Sequence, residues 1–397
     1  MGRANPRLVV AGGGVAGLEA VLALRALAQE RVSIEVIAPE HEFAYRPLAV
    51  AEPFRAADVQ TFPLQPLVQA AGAELRSARV TAVDSNRHMV VTGDGSEIAY
   101  DFLLLALGAQ PVAAVENALA FRGTADGPAL AEILEQALVG AVHRLVFAVP
   151  AGAAWPLPAY ELALLTANYL ADHGARGIDV TVVTPEESPL AVFGITASSA
   201  VRELLELRGI GLVTHATPLR FENETLEVAP FARIEADRVV ALPRLEGPRL
   251  PGIDHDQRGF VATDELGRVV PYADVYAAGD MTQFPLKQGG IAAQQADVAA
   301  AAIASRVGVD LEVAPFRPVL RGLLLTGMVP RYLRAEPGTG RSVVDTATLW
   351  WPPAKIVGRY LSPFLAERLG LDPYTPPADG VRVEIELEAS PGAAPAG

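Results

Sequence analysis

Cysteine is absent from all 397 residues. That absence excludes a disulfide framework, thiolate metal sites and any dithiol or persulfide relay. Lysine is almost absent as well: Lys287 and Lys355 are the only two, so arginine carries nearly all the positive charge. The six histidines (His41, His88, His143, His173, His215, His255) are scattered without metal-ligand spacing, and no metal is expected. No apolar run reaches the roughly 18 residues that a membrane-spanning helix needs. Met1–Arg7 lacks the apolar core of a secretory signal, so a cytoplasmic location is expected. Positive charge is in deficit overall, and a net charge of −14 argues against nucleic acid or anionic lipid as a general partner.

What is present is a compact, apolar chain, 51% hydrophobic and 20% charged, long enough for two or three domains. Its most informative stretch is Leu8–Gly17, Leu-Val-Val-Ala-Gly-Gly-Gly-Val-Ala-Gly. A short β-branched run stops at Gly12-Gly13-Gly14-Val15-Ala16-Gly17, and a segment with helical spacing (Leu18, Val21, Leu22, Leu24) follows. Strand, glycine turn and helix together make a dinucleotide fingerprint. Gly12 permits the tight turn, Gly14 lets the backbone approach a pyrophosphate, and Gly17 lets helix and strand pack closely. The phosphates then meet the free amides and positive end of the helix.

Along the chain, Val32–Ala38 reads as the second parallel strand, and Glu40 is the nearest acid for ribose hydroxyls. The aromatic and proline-containing loop His41–Pro53, with Arg46-Pro47 at its turn, either lies along a cofactor ring or packs as an ordinary loop. Glu74–Tyr100 predicts antiparallel strands around a Gly93-Asp94-Gly95 turn. Asp101–Pro111 predicts a buried strand ending at Gly108. Between residues 112 and 250 a second α/β unit is expected, with strands at Arg144–Pro150 and Asp179–Thr184 and helices at Pro158–Ala171 and Ser198–Arg208. Tyr272–Asp280 reads as a buried strand ending in Gly279-Asp280, and Phe284–Val307 as a helix. In the C-terminal portion, Arg321–Leu333 and Leu349–Leu369 combine tryptophan, proline and apolar spacing with Lys355, Arg359 and Arg368. Two readings stand: an interfacial segment lying on a membrane, or an amphipathic helix that closes over the site or forms a dimer contact. The Ser/Pro/Gly/Ala-rich end reads as a disordered tail.

Leu8–Gly17, Asp101–Pro111, Tyr272–Asp280 and Lys287–Gln295 together resemble the two-dinucleotide-domain FAD oxidoreductases of the pyridine nucleotide-disulfide type. That family includes type II NADH dehydrogenases, flavocytochrome c sulfide dehydrogenase and sulfide:quinone oxidoreductases, and the sulfide:quinone branch is the most similar. The resemblance implies an α/β fold with two Rossmann-like, three-layer domains and a C-terminal extension. It divides the chain into FAD-binding segments 1–111 and 251–314, an inserted NAD-type domain 112–250, a C-terminal domain 315–387 and the tail 388–397. It implies FAD, bound without a thioether, on Gly12, Gly13, Gly14, Val15, Ala16, Gly17, Glu40, Arg46, Gly108, Gly279 and Asp280. Lys287 and Gln288 are expected to tune the ring, together with the N-terminal dipole of their helix.

Three departures from the family pattern stand out. Leu107 replaces the threonine of the Asp101–Pro111 segment, so only its backbone role carries over. Trp155 stands where sulfide:quinone relatives place a redox cysteine, which strikes out cysteine-based sulfide oxidation. Where an NADH-using relative has its second glycine fingerprint, this chain offers Pro150, Pro156, Pro158 and a single glycine, Gly152. Prolines have no amide hydrogen to give a pyrophosphate, so weak or absent NAD(P)H binding is expected. Glu161 matches the glutamate that faces the flavin in NADH-using relatives. It is read either as a proton-transfer group with a raised pKa or as a structural glutamate bonded to backbone or arginine. The expected function is an FAD-dependent oxidoreductase passing two electrons from a small-molecule donor to an acceptor of quinone type. An NAD(P)H:quinone or NAD(P)H:acceptor reductase is the alternative, and a non-catalytic flavin sensor is the alternative of another class. A homodimer and peripheral contact with the inner face of the membrane through 349–369 are left as open expectations.

Overall fold

The computed structural model describes residues 5–371; the tail read at 388–397 lies outside them. The chain opens with β1 (Arg7–Ala11), α1 (Val15–Ala28), β2 (Ser33–Ala38), β3 (Glu74–Ser77) and β4 (Phe102–Leu105). Their four strands form a parallel sheet in the order β4-β1-β2-β3. Both faces of this sheet are covered, as near-continuous apolar strands require. Val9, Ala11, Leu103 and Leu105 point to an antiparallel meander, Val80–Asp84, Met89–Thr92 and Glu97–Ala99. Leu8, Val10 and Leu104 point to the helices on the other side.

The chain then leaves this sheet. It forms β5 (Leu119–Ala120), β6 (Arg144–Ala148), α2 (Leu157–Asp172), β7 (Asp179–Val183), β8 (Gly211–Val213) and β9 (Arg238–Ala241). These make a second all-parallel sheet in the order β5-β9-β6-β7-β8. It carries a three-stranded antiparallel meander, Thr217–Glu222, Thr225–Ala229 and Ala232–Glu235, inserted before β9. On its return the chain adds β10 (Val275–Ala277) beside β4, and α3 (Gly289–Arg306) packs along α1. In both sheets the strand order reverses next to the central strand, at β1/β4 and at β6/β9. Such switch points open a crevice beyond the carboxyl ends of the strands.

Several expectations need correction. The helix expected at Phe284–Val307 begins at Gly289. Gln288, in extended conformation, caps it, and Pro285 lies in the segment before it. The strand expected over Tyr272–Asp280 contains only Val275–Ala277. The helix expected at Ser198–Arg208 is Ile195–Leu207, started by Gly194 at φ +87°. The largest revision is C-terminal. Arg321–Leu333 spans parts of β11 (Leu320–Leu324) and β12 (Arg331–Glu336), which with β13 (Arg341–Asp345) form an antiparallel sheet. Of Leu349–Leu369, only α4 (Leu361–Arg368) is α-helical. Pro352, Pro353 and the bond from the Trp350 indole to the Ala354 carbonyl (2.9 Å) keep the preceding stretch irregular. That irregular stretch dips inward: Ile356 is buried and its N–H donates to the Tyr45 hydroxyl at 2.7 Å. Among the described residues no helix is long and apolar enough to cross a membrane.

Candidate active site

A cavity of about 720 Å³ opens at the β1/β4 switch point and runs from Gly12–Ala16 to Glu161. Local sterics fix its glycine end. Gly12 has φ +118°, and a Cβ there would sit 2.3 Å from the Ala106 carbonyl oxygen. A Cβ on Gly17 would sit 2.0 Å from the Gly12 oxygen, so no side chain fits between turn and helix. Gly14 is different: nothing lies within 4 Å of where its Cβ would be, because it faces open space. No side chain caps α1, so its first amides and the positive end of its dipole point at the cavity. Gly13, Val15 and Ala16 also line it, as do Gly108 and Gly279 from the ends of β4 and β10.

Asp280 lines the same space just after β10. Burial pushes its carboxyl up, while the charges of Lys287 and Arg46 pull it back down. Among the described residues no group donates a hydrogen bond to this carboxylate, which leaves a half-buried acceptor facing the cavity. Arg46 and Glu40 are exposed and stand on its rim. Lys287, 7% exposed, gives its ammonium to the Thr282 carbonyl and lies 4.1 Å from the centre of the Phe260 ring. Burial pulls it down to about 8, with Asp280 opposing and Arg258 assisting. Gln288 lines the cavity, but its amide is spent on structure. Its oxygen accepts Ile291 N–H at 2.9 Å, and its nitrogen donates to the Arg321 carbonyl at 2.5 Å. The expectation that this side chain tunes a ring is therefore revised: it is the N-cap of α3, and the helix terminus it leaves is what faces the cavity.

At the far end Glu161, from the first turns of α2, is fully buried. Its carboxylate accepts Leu325 N–H at 2.9 Å, and both of its oxygens meet Lys355 Nζ, at 2.7 and 2.6 Å. Burial pushes Glu161 up and the Lys355 charge opposes it. The sequence presents Lys355 as a charge of an interfacial segment; the fold instead buries it as the partner of Glu161, with 8% of its side chain exposed. Its scarcity is the one available signal, since a chain that uses arginine almost everywhere keeps only two lysines, and both line this cavity. Trp155 lines the same end and meets Phe193 edge-on at 5.6 Å.

The second switch point, at β6/β9, is built differently. Its β6–α2 loop holds Pro150 and Pro156, Pro156 occupies the N-cap of α2, and Pro158 lies in the first turn of the helix. Beyond β7 stands Glu186, where a dinucleotide fold would place its ribose acid. Its carboxylate is already taken, by the buried Tyr160 hydroxyl at 2.7 Å and the Thr184 hydroxyl at 2.9 Å. Burial pushes Glu186 up. This internal network is not legible in the sequence, because Tyr160 and Glu186 stand 26 positions apart.

A sequence-family profile described as "Pyridine nucleotide-disulphide oxidoreductase" matches residues 6–303. The sulfide-quinone reductase of Aquifex aeolicus (strain VF5) is 27% identical over 297 residues, covering 70% of this chain and 69% of that protein. The ferredoxin–NAD(+) reductase component of the biphenyl dioxygenase system of Paraburkholderia xenovorans (strain LB400) is 30% identical over 305 residues, 71% of this chain and 69% of that one. Among solved structures, the sulfide:quinone oxidoreductase from Aquifex aeolicus is similar with a TM-score of 0.78 over 86% of both chains. At 19% sequence identity that likeness is one of fold.

Proposed function

The chain belongs to the pyridine nucleotide-disulphide oxidoreductase family, whose members are FAD-dependent oxidoreductases, and we propose that this one reduces a quinone-class acceptor with electrons from a donor other than NAD(P)H. Three features of the cavity suit FAD: its volume of about 720 Å³, the open face of Gly14 beside an uncapped helix end, and the Asp280 carboxylate left without a donor. Gly12–Gly17 would hold the pyrophosphate through their amides, and Asp280 would accept from the hydroxyls of the linking chain. Glu40 would take ribose hydroxyls at the rim, Gly108 and Gly279 would leave room for the cofactor, and Arg46 would lie along it. Lys287 and the N-terminus of α3 would place positive potential by the ring. Bound FAD supplies the two-electron chemistry; the chain's own residues bind, orient and move protons.

The observation that carries the reading is the Glu161–Lys355 pair, whose lysine belongs to the walls of two cavities. A smaller, largely apolar pocket of about 190 Å³, walled by Tyr45, Phe62, Pro352 and Leu365, shares Leu323, Lys355 and Ile356 with the lining of the large cavity. An apolar ring entering there would find, in an otherwise dry environment, the proton that the carboxylate and ammonium hold between them. A quinone needs two protons as well as two electrons, and this pair suits proton delivery. The relative from Aquifex is named for a quinone, which supports the acceptor class. Its other named substrate, sulfide, is not carried over through a thiol, because this chain has no cysteine. The prolines at the β6–α2 loop and the Tyr160–Glu186 bond argue against a dinucleotide as donor.

Anaerobic mixing tests both halves. NADH and NADPH are expected to leave the visible flavin absorbance of the loaded protein unchanged over many seconds, and rapid bleaching would overturn the donor half. Photoreduced protein is expected to recover its colour quickly with a soluble short-chain quinone, and a rate no faster than buffer controls would remove the acceptor half. The pocket mouth carries Leu369 and Leu371, 43% and 45% exposed, which suits an acceptor drawn from a bilayer. Co-sedimentation with zwitterionic vesicles is expected for the full chain and lost in a Leu369→Asp, Leu371→Asp variant. Equal partitioning of the two proteins would remove membrane contact from the reading.

A further inference from the structure

A second group of buried ionisable side chains lies between α1, α3 and the C-terminal segment, and the proposed function uses none of it. Glu19, on α1, is fully buried. Its carboxylate accepts the backbone N–H of Tyr360 at 2.8 Å and of Leu361 at 2.7 Å, and it stands beside the carboxyl of Asp297 on α3, close enough for the two to interact. Asp297 Oδ1 is buried without a hydrogen-bond partner among the described residues. Gly358 passes so close that a Cβ on it would lie 2.4 Å from Glu19 Oε2.

Two carboxyl groups side by side in a largely desolvated site repel when both are charged, and sharing one proton between them relieves that repulsion. Glu19 has the backbone donors, so Asp297 holds that proton. Among the described residues the groups facing the pair are few: each other, from α1 and α3, and Arg359 from the C-terminal turn. From this clamp the chain is stapled backwards towards the cavity. Ser362 Oγ accepts Gly358 N–H at 2.7 Å and donates to the Ile356 carbonyl at 3.0 Å. Ile356 N–H is fixed on Tyr45, and the residue before it is Lys355.

We propose that Glu19 and Asp297 are positioning residues that share one proton, and that this shared proton clamps the Gly358–Leu361 turn and so holds Lys355 against Glu161. Burial and the neighbouring Glu19 charge push Asp297 up to about 8, with Arg359 opposing. The docked turn thus binds a proton that an undocked, solvated Asp297 gives up in the ordinary aspartate range. Docking therefore weakens as pH rises from that range, and above about 8 the two carboxylates confront each other charged. The consequence for turnover rests on the role of Glu161 given above; the clamp itself does not.

Because lysine occurs only twice, amine acylation followed by peptide mass spectrometry reads the position of Lys355 directly. The full-length, flavin-loaded protein and its Asp297→Asn variant are pulsed with an acylating reagent well below and well above pH 8. The amide introduced by Asp297→Asn keeps a donor to Glu19 and has no proton to lose, and comparison at equal pH cancels the reagent's own pH dependence. Lys355 is expected to be modified equally in both proteins on the acid side, and several-fold faster in the wild type on the alkaline side. Glu19→Ala is expected to expose Lys355 at every pH. Wild type and Asp297→Asn following one curve across the whole range would overturn the proposal. The readout is a position and not a rate of turnover, so failure of the quinone reading would not be confused with failure of the clamp.

Discussion

Lys355→Met is expected to destabilise the protein by about 3–5 kcal/mol near neutral pH, the cost of leaving one member of a buried ion pair without its partner. Glu161 is fully buried and would keep a single hydrogen bond, from Leu325 N–H. The sign with pH follows from burial. With the Lys355 charge gone, nothing opposes the desolvation that already pushes Glu161 up except that one bond. The folded state then binds a proton that the unfolded state lacks once pH exceeds the ordinary glutamate range, so the loss grows as pH rises and shrinks on acidification. A second change, Glu161→Gln, removes the stranded charge and should recover most of the loss, since a dry pair exchanged for neutral groups of similar volume is close to neutral in stability. Urea unfolding of the two single variants and the double variant gives the coupling directly. A double variant as unstable as the sum of the single ones would mean that the pair is not a unit.

Asp280→Ala is expected to emerge from purification without yellow colour, and its effect on stability should change sign with cofactor loading. Each hydrogen bond from a bound group to a charged carboxylate contributes about 1.5–3 kcal/mol, so losing two weakens cofactor retention by roughly two to four orders of magnitude. In the cofactor-free protein the same carboxylate is a half-buried charge with no hydrogen-bond donor among the described residues, held only by the fields of Lys287 and Arg46. Removing it relieves that cost, although Lys287 then loses the group that opposes its fall below about 8. The apo variant should therefore unfold at or above the temperature of apo wild type, whereas the two proteins saturated with FAD should differ in the opposite direction. A variant that retains FAD as tightly as wild type would remove Asp280 from the binding set. One that is destabilised equally in both states would make it a purely structural residue.

What the sequence determined by itself is local. Gly12, Gly14 and Gly17 are legible because a turn that leaves no room for a Cβ, and a helix end left open for an anion, are properties of consecutive residues. The apolar strands β1 and β4 are legible for the same reason, since both faces of a central parallel strand are dry and its residues, after Arg7 at the start of β1, are accordingly apolar. The missing cysteine and the prolines at the β6–α2 loop are legible as chemistry withheld. Which distant groups meet is set by the fold alone. Lys355 and Glu161 stand 194 positions apart, and Glu19 and Leu361 stand 342 apart. Nothing in the neighbourhood of Lys355, a stretch of tryptophan and proline that reads equally as interface or lid, indicates that it turns inward. Tyr160 and Glu186, 26 positions apart, likewise meet only when α2 is laid over β7. Short-range sterics and solvent preference are encoded residue by residue, whereas the partner of a buried charge depends on which surfaces the folded chain brings into contact, and a pattern along the sequence carries no term for that.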